Sequence, residues 1–162
     1  VIENNLFASH MHISLRQPSS LTSRFAIANH IPYKLVDGNN VIEVSNSAKK
    51  LIENSRKGSG PGFLELITYR LYGHVDWRDD VDVGVKRSLD DIDNWKARDP
   101  ILRLSRAMID SKIWSKDQEE SLENDFDNKI NNAWEKAIND PYPNKSSILN
   151  SVYSSNFDRK KQ

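Results

Sequence analysis

The most constraining feature of this chain is a helix held between two short apolar runs, each bounded by residues that stop regular structure. Ile31-Pro32-Tyr33-Lys34-Leu35-Val36 reads as a strand, closed by the turn signal Asp37-Gly38. Val41, Val44, Ala48, Leu51 and Ile52 then fall on one stripe, with Lys49, Lys50 and Glu53 off it, which predicts an amphipathic helix. Gly58-Ser59-Gly60-Pro61-Gly62 cannot continue that helix. Phe63-Leu64-Glu65-Leu66-Ile67-Thr68-Tyr69 follows as a mostly buried strand.

The pattern has a partial copy upstream. Val1-Ile2-Glu3-Asn4-Asn5 reads as the end of a buried strand, and Ser19 and Ser20 precede Leu21, Phe25 and Ala28, spaced for one face of a helix. Strand and helix in alternation predict an α/β fold with a parallel sheet. Ligands in such sheets collect at the carboxyl ends of the strands. Two polar strand ends therefore stand out: Glu3-Asn4-Asn5, and Tyr69-Arg70 through Gly73-His74. The apolar start at Val1, in place of methionine, gives the expectation of a longer natural chain.

Beyond the sheet the chain turns acidic, with Asp76, Asp79, Asp80, Asp82 and Gly84, and then helical. Ser88 with Asp91 resembles a capping box, as does Ser115 with Gln118, and Asp99-Pro100 offers a cap followed by proline at the first helical position. Leu122, Phe126, Ile130, Ala133 and Ala137 form one stripe of a last helix, with Trp134 and Ile138 alongside. Asp140-Pro141-Tyr142-Pro143 ends it, which sets one domain over residues 1–143 and a polar tail over 144–162.

Charge removes several classes of partner. Lys+Arg and Asp+Glu are equal at 23 each, so there is no basic excess for nucleic acid or an anionic membrane. No apolar run reaches the roughly 20 residues that cross a bilayer. With no cysteine there is no disulfide or thiolate metal site.

Few residues carry chemistry on their own. A carboxamide oxygen of Asn4 or Asn5 at a strand end suits Mg²⁺, a hard cation that prefers oxygen, although paired asparagines also form ordinary turns. His74 can donate to a phosphate or carboxylate, or can be a plain loop histidine. Arg70, Arg78, Lys86 and Arg87 are either anion ligands or partners of the nearby aspartates. The aspartate-rich loop lacks calcium-loop spacing, and His10-Met11-His12 lacks a third metal ligand. No serine sits in a nucleophile elbow.

Read in order, further segments narrow the field. Glu3-Asn4-Asn5-Leu6-Phe7, Val36-Asp37-Gly38-Asn39, Gly60-Pro61-Gly62-Phe63-Leu64-Glu65, Thr68-Tyr69-Arg70-Leu71-Tyr72-Gly73-His74 and Trp95-Lys96-Ala97-Arg98-Asp99-Pro100-Ile101 together resemble one family. It is the alpha subunit of the thiamine-diphosphate-dependent decarboxylating component of 2-oxo acid dehydrogenases, which act on pyruvate, acetoin or branched-chain substrates. The resemblance runs from residue 1 to about 143 and covers the C-terminal half of the family's cofactor-binding fold, followed by its helical C-terminal region.

The resemblance implies specific roles. Asn5 would ligate the Mg²⁺ that holds the diphosphate, and Phe7 would add its backbone carbonyl. His74 would lie at the cofactor and substrate end of the pocket. The implied reaction is oxidative decarboxylation of a 2-oxo acid, pyruvate first among them, with the acyl group passing to a lipoyl-bearing acyltransferase. The implied partner is a beta subunit, in a heterotetramer of two alpha and two beta chains, in the bacterial cytoplasm or the mitochondrial matrix. The sequence departs from the family at three points. It contains no Gly-Asp-Gly, the motif that supplies another metal ligand; Val75 and Asp76 follow Gly73-His74 where serine is common; and Lys86 precedes Arg87 where tyrosine is common. The first departure keeps open a non-catalytic subunit that retains the fold without the cofactor.

Overall fold

A computed structural model describes residues 1–9, 11–75 and 87–148. The chain divides into two compact units, Val1–Ser115 and Lys116–Gln162. The first carries the sheet: strands β1 (Ile2–Asn4), β4 (Tyr33–Asp37) and β5 (Phe63–Ile67), in the order β1-β5-β4 and parallel throughout. A small antiparallel pair, β2 (Phe7–Ala8) and β3 (Met11–His12), follows β1. The expected α/β fold with a parallel sheet is what the chain forms.

Each helix has a local cause. Helix α2 (Val41–Arg56) starts where the Asn40 side chain accepts from the Glu43 N–H at 3.3 Å, and it carries Glu43 in its first turn and Arg56 in its last, matching its dipole. It stops where Gly58 takes φ 86°, a left-handed conformation that costs glycine nothing. Leu51 packs from α2 against Val36, Leu64 and Leu66 of the sheet, with Val44 and Ala48 beside it. Burial of such a side chain stabilises by roughly 1.5–3 kcal/mol. The ends of the expected stripe, Val41 and Ile52, remain exposed.

Helix α1 (Ser23–Ala28) departs from its expected orientation. Phe25 and Ala28 face outward, whereas Ser23 and Ala26 are buried. The cause lies in β5: the fully buried Glu65 carboxylate accepts from the Ser23 N–H at 2.6 Å and the Thr22 N–H at 2.9 Å. That clamp fixes the rotation of the helix, and a six-residue helix has too few apolar contacts to override it.

Helices α3 (Leu89–Lys96) and α4 (Pro100–Asp110) begin at the expected caps. The Ser88 hydroxyl accepts from the Asp91 N–H at 3.4 Å, and Asp99 accepts from the N–H groups of Ile101 and Leu102. Ile92 of α3 is almost fully buried. The second unit holds helix α5 (Lys116–Asn139), which ends just before Asp140-Pro141, and a short 3-10 turn at Lys145–Ser147. Its apolar stripe, Leu122, Phe126, Ile130, Trp134 and Ile138, is exposed. Among the described residues, no helix is long and apolar enough to cross a membrane.

Candidate functional site

Strand register decides what meets at the carboxyl edge. Asn4 pairs with Ile67 and Asp37 pairs with Ile67, so all three strands end in one row. The segments that leave this row, Asn5 to Phe7, Gly38-Asn39 and Thr68-Tyr69, therefore emerge side by side. Gly38 has to be glycine there. Its N–H donates to the Ile67 carbonyl at 2.7 Å, and an added Cβ would lie 2.9 Å from the same oxygen. Behind it, buried Asn39 accepts from the Thr68 hydroxyl at 2.7 Å and donates to the Arg98 carbonyl at 3.0 Å.

The paired asparagines divide their work. Asn4 is buried and structural: its amide donates to Glu65 at 2.7 Å and to the Ser20 carbonyl at 2.8 Å. Asn5 is partly exposed, and its carboxamide oxygen accepts from the Phe7 N–H at 3.0 Å. Between them Leu6 takes φ 67°, a strained conformation for a branched side chain. The turn expected from an Asn-Asn pair and the presented oxygen are thus the same structure.

The small β2–β3 ladder sets the direction of the Phe7 backbone. The Leu6 carbonyl accepts from the Ile13 N–H at 2.8 Å, just outside the Phe7–His12 pair, while the Leu6 N–H donates to Asn4 Oδ1 at 3.1 Å. A bond flanking a residue pair in an antiparallel ladder marks it as a non-hydrogen-bonded pair, whose N–H and C=O turn away from the partner strand. The Phe7 carbonyl therefore points to the side on which Asn5 folds over the Phe7 N–H. Two neutral oxygens on one side of one turn are a donor set that fits a hard cation.

Rings line the same edge. Phe7 meets Tyr69 edge-on at 5.9 Å and His12 edge-on at 5.1 Å. Tyr69 stacks on Trp95 at 5.5 Å and 8°, and the Arg98 guanidinium lies 4.4 Å from the centre of the Trp95 indole. Arg98 and Arg103 both pair with Asp37, at 3.1 Å and 2.8 Å. Burial opposes the charge on Asp37, but hydrogen bonds from Arg103, the Asn39 N–H and Arg98, with the Arg98 charge, hold its carboxyl below the usual 3.8. Glu65 behaves likewise: burial opposes ionisation, yet donors from Thr22, Asn4 and Ser23 outweigh it and keep the carboxyl below 4.5.

Two candidate anion ligands are engaged in holding the chain. Arg70 donates to the carbonyls of Ser9 and Tyr72, at 3.2 Å and 3.0 Å. Arg87, buried, donates to the carbonyls of Arg70 and Tyr72 and lies 5.4 Å from the Tyr69 ring centre. His74 is exposed in the loop that leaves β5, the strand next to Asn5. His10, Arg78, Lys86, the aspartates from Asp76 to Asp82, Gly84 and the tail past residue 148 lie outside the described residues.

Sequence reasoning singled out Asn5, Phe7 and His74 but missed the supports beneath them. Glu65, Asn39 and Trp95 were legible only as parts of motifs, because their partners lie tens of residues away. A charged residue inside an apolar run, as Glu65 is, was the available signal, since such a group needs buried donors.

With this edge in view, comparison with known proteins identifies the class. Residues 1–146 match the family described as "Dehydrogenase E1 component", and the chain belongs to that family. It is 33% identical over 155 residues to the pyruvate dehydrogenase E1 component subunit alpha-3, chloroplastic, of Oryza sativa subsp. japonica, covering 95% of this chain and 35% of that one. It is 29% identical to the pyruvate dehydrogenase E1 component subunit alpha of Acholeplasma laidlawii, over 84% of this chain and 39% of the relative. The 2-oxoisovalerate dehydrogenase subunit alpha of Bacillus subtilis is also 29% identical, over 94% and 45%. The chain thus spans 35–45% of the length of these relatives.

Proposed function

We propose that this chain is part of the alpha subunit of a thiamine-diphosphate-dependent 2-oxo acid dehydrogenase, and that pyruvate is its substrate. The observation that carries the reading is the Asn5–Phe7 turn, in which the Asn5 carboxamide oxygen accepts from the Phe7 N–H at the carboxyl edge of a parallel sheet, in a chain of this family. Pyruvate is favoured because the relatives at 33% and at 29% over most of the chain carry that name. A branched-chain enzyme at 29% makes 2-oxoisovalerate the rival substrate.

In this reading Asn5 and the Phe7 carbonyl hold Mg²⁺ against the cofactor's diphosphate. Thiamine diphosphate, when bound, supplies the electron sink that lets the 2-oxo acid lose carbon dioxide. His74 donates a hydrogen bond at the substrate end and orients the carboxylate for departure. Asn4 and Glu65 keep β1 in register so that the Asn5 turn stays aimed. A beta subunit completes the site, and a lipoyl-bearing acyltransferase takes the acyl group. The missing Gly-Asp-Gly leaves the metal shell incomplete within these residues, which favours a test on the full-length natural product.

That test is turnover of the full-length subunit assembled with its beta partner, with thiamine diphosphate, Mg²⁺ and either pyruvate or 2-oxoisovalerate. Decarboxylation of pyruvate with the higher kcat/KM is the expected result. Preference for 2-oxoisovalerate would overturn the substrate assignment, and no cofactor-dependent turnover with either would leave a non-catalytic subunit.

A further inference from the structure

Trp95 lies on helix α3, far along the chain from Asn5, yet an unbroken series of ring contacts joins the two. Trp95 stacks on Tyr69 at 5.5 Å, and Tyr69 meets the Phe7 ring at 5.9 Å. Phe7 in turn gives its N–H to Asn5 at 3.0 Å. At the other end, Arg98 lies 4.4 Å over the Trp95 indole and pairs with Asp37, the last residue of β4. The series therefore starts at one strand end and returns to another. Its three rings are partly buried, and Ile92, one turn before Trp95, is almost fully buried and seats the helix.

The position of Phe7 gives this series a consequence. β2 has two residues and β3 has two, and so short a pair does not hold its own geometry. The strained φ of Leu6 adds a tendency to relax. The ladder orients the Phe7 carbonyl, and the seat of the Phe7 ring, braced by His12 across the ladder and by Tyr69 just past β5, holds that short ladder in place. Tyr69 has left the sheet, beyond the end of β5 at Ile67, and its ring stacks on Trp95 at 8° with the Arg87 guanidinium 5.4 Å from its centre.

We infer that Trp95 is a positioning residue for the cation site: through Tyr69 and Phe7 it aims the Asn5 carboxamide and the Phe7 carbonyl at one divalent cation. The inference rests on the proposed role of Asn5 and Phe7. Trp95 itself has no oxygen to offer and acts only through rings. The requirement is for a flat aromatic surface, not for an indole, so phenylalanine should serve in its place and leucine should not. A role in stability alone would lower the urea midpoint of the leucine variant and leave Mg²⁺ affinity of the assembled protein at the wild-type value.

The experiment is calorimetric titration of Mg²⁺ into the full-length subunit, assembled with its beta partner and saturated with thiamine diphosphate. Wild type, Trp95→Leu, Trp95→Phe and Asn5→Ala are compared, each after its assembly has been verified. Trp95→Leu is expected to weaken Mg²⁺ binding about 3- to 10-fold, the scale of one aromatic pair, with Trp95→Phe close to wild type. Should Trp95→Leu fail to assemble, Tyr69→Leu breaks the same series from the sheet side and carries the same expectation. Wild-type affinity in the leucine variants, with Asn5→Ala weakened, would overturn the role of Trp95 and spare that of Asn5. Wild-type affinity in Asn5→Ala would overturn both.

Discussion

The carboxamide nitrogen of Asn4 lies 2.7 Å from Oε1 of Glu65, and both side chains are buried. This contact joins the end of β1 to the middle of β5, and the same carboxylate takes the N–H groups of Thr22 and Ser23 at the start of α1. One charged group thus fixes the strand that leads into the candidate site and the helix beside it. With so few buried apolar residues in the sheet core, a hydrogen-bonded carboxylate carries an unusual share of the specification of this fold.

Glu65→Gln should therefore be costly although it is nearly isosteric. The amide would point N–H groups at a site that contains only donors. We expect a loss of about 1–3 kcal/mol, read as a lower urea midpoint in the full-length protein. No change in midpoint would mean that the carboxylate is not needed as an acceptor.

The same carboxylate sets a pH dependence. Its folded pKa lies below the usual 4.5, so its contribution is fully present above that value and is lost as pH falls through the lower folded pKa. The gap in urea midpoint between wild type and Glu65→Gln should be constant from pH 7 to about 5 and should close below 4.5. A gap that widened with acid would contradict the sign.

Gly38→Ala tests the close approach at the end of β4. The new Cβ would lie 2.9 Å from the Ile67 carbonyl oxygen and 3.1 Å from Leu66 Cβ, neither of which can swing aside. About 1–3 kcal/mol of destabilisation is expected, from the displacement of β4 against β5. Thermal unfolding reads it directly, and a neutral result would show that the strand ends are free to part.

In the proposed assembly with a beta subunit, His74→Ala should leave assembly intact, its side chain being exposed. Acyl transfer should fall by about 10²- to 10⁴-fold, the scale of one positioned acid–base group. Turnover like wild type would remove His74 from the proposed site.

How far the sequence could be read depends on the reach of each signal. Strands Tyr33–Asp37 and Phe63–Ile67, helix Val41–Arg56 and the caps at Ser88 and Asp99 were legible because their causes lie within a few residues: periodicity, a glycine break, a side chain at the helix start. The face of Ser23–Ala28 was not, because Glu65 sets it from 42 residues away. Asn5 and His74 were raised by their chemistry at a strand end but left open, and the choice of Asn5 over Asn4, with Phe7 beside it, came from the family pattern. That Asn4 is a support while Asn5 is presented follows only from β1 pairing with β5, since a one-residue change of register would exchange their faces. The ring series through Trp95 depends on the packing of α3, on which local sequence is silent.

The most direct measurement is Mg²⁺ affinity at the Asn5 turn, made by calorimetry on the assembled full-length subunit with thiamine diphosphate present and extended to Asn5→Asp. An aspartate keeps an oxygen at the same place, whereas alanine removes it. Asn5→Asp should retain Mg²⁺ binding and Asn5→Ala should lose at least about tenfold, roughly 1.4 kcal/mol. Equal affinity in wild type and Asn5→Ala would contradict the proposed cation site.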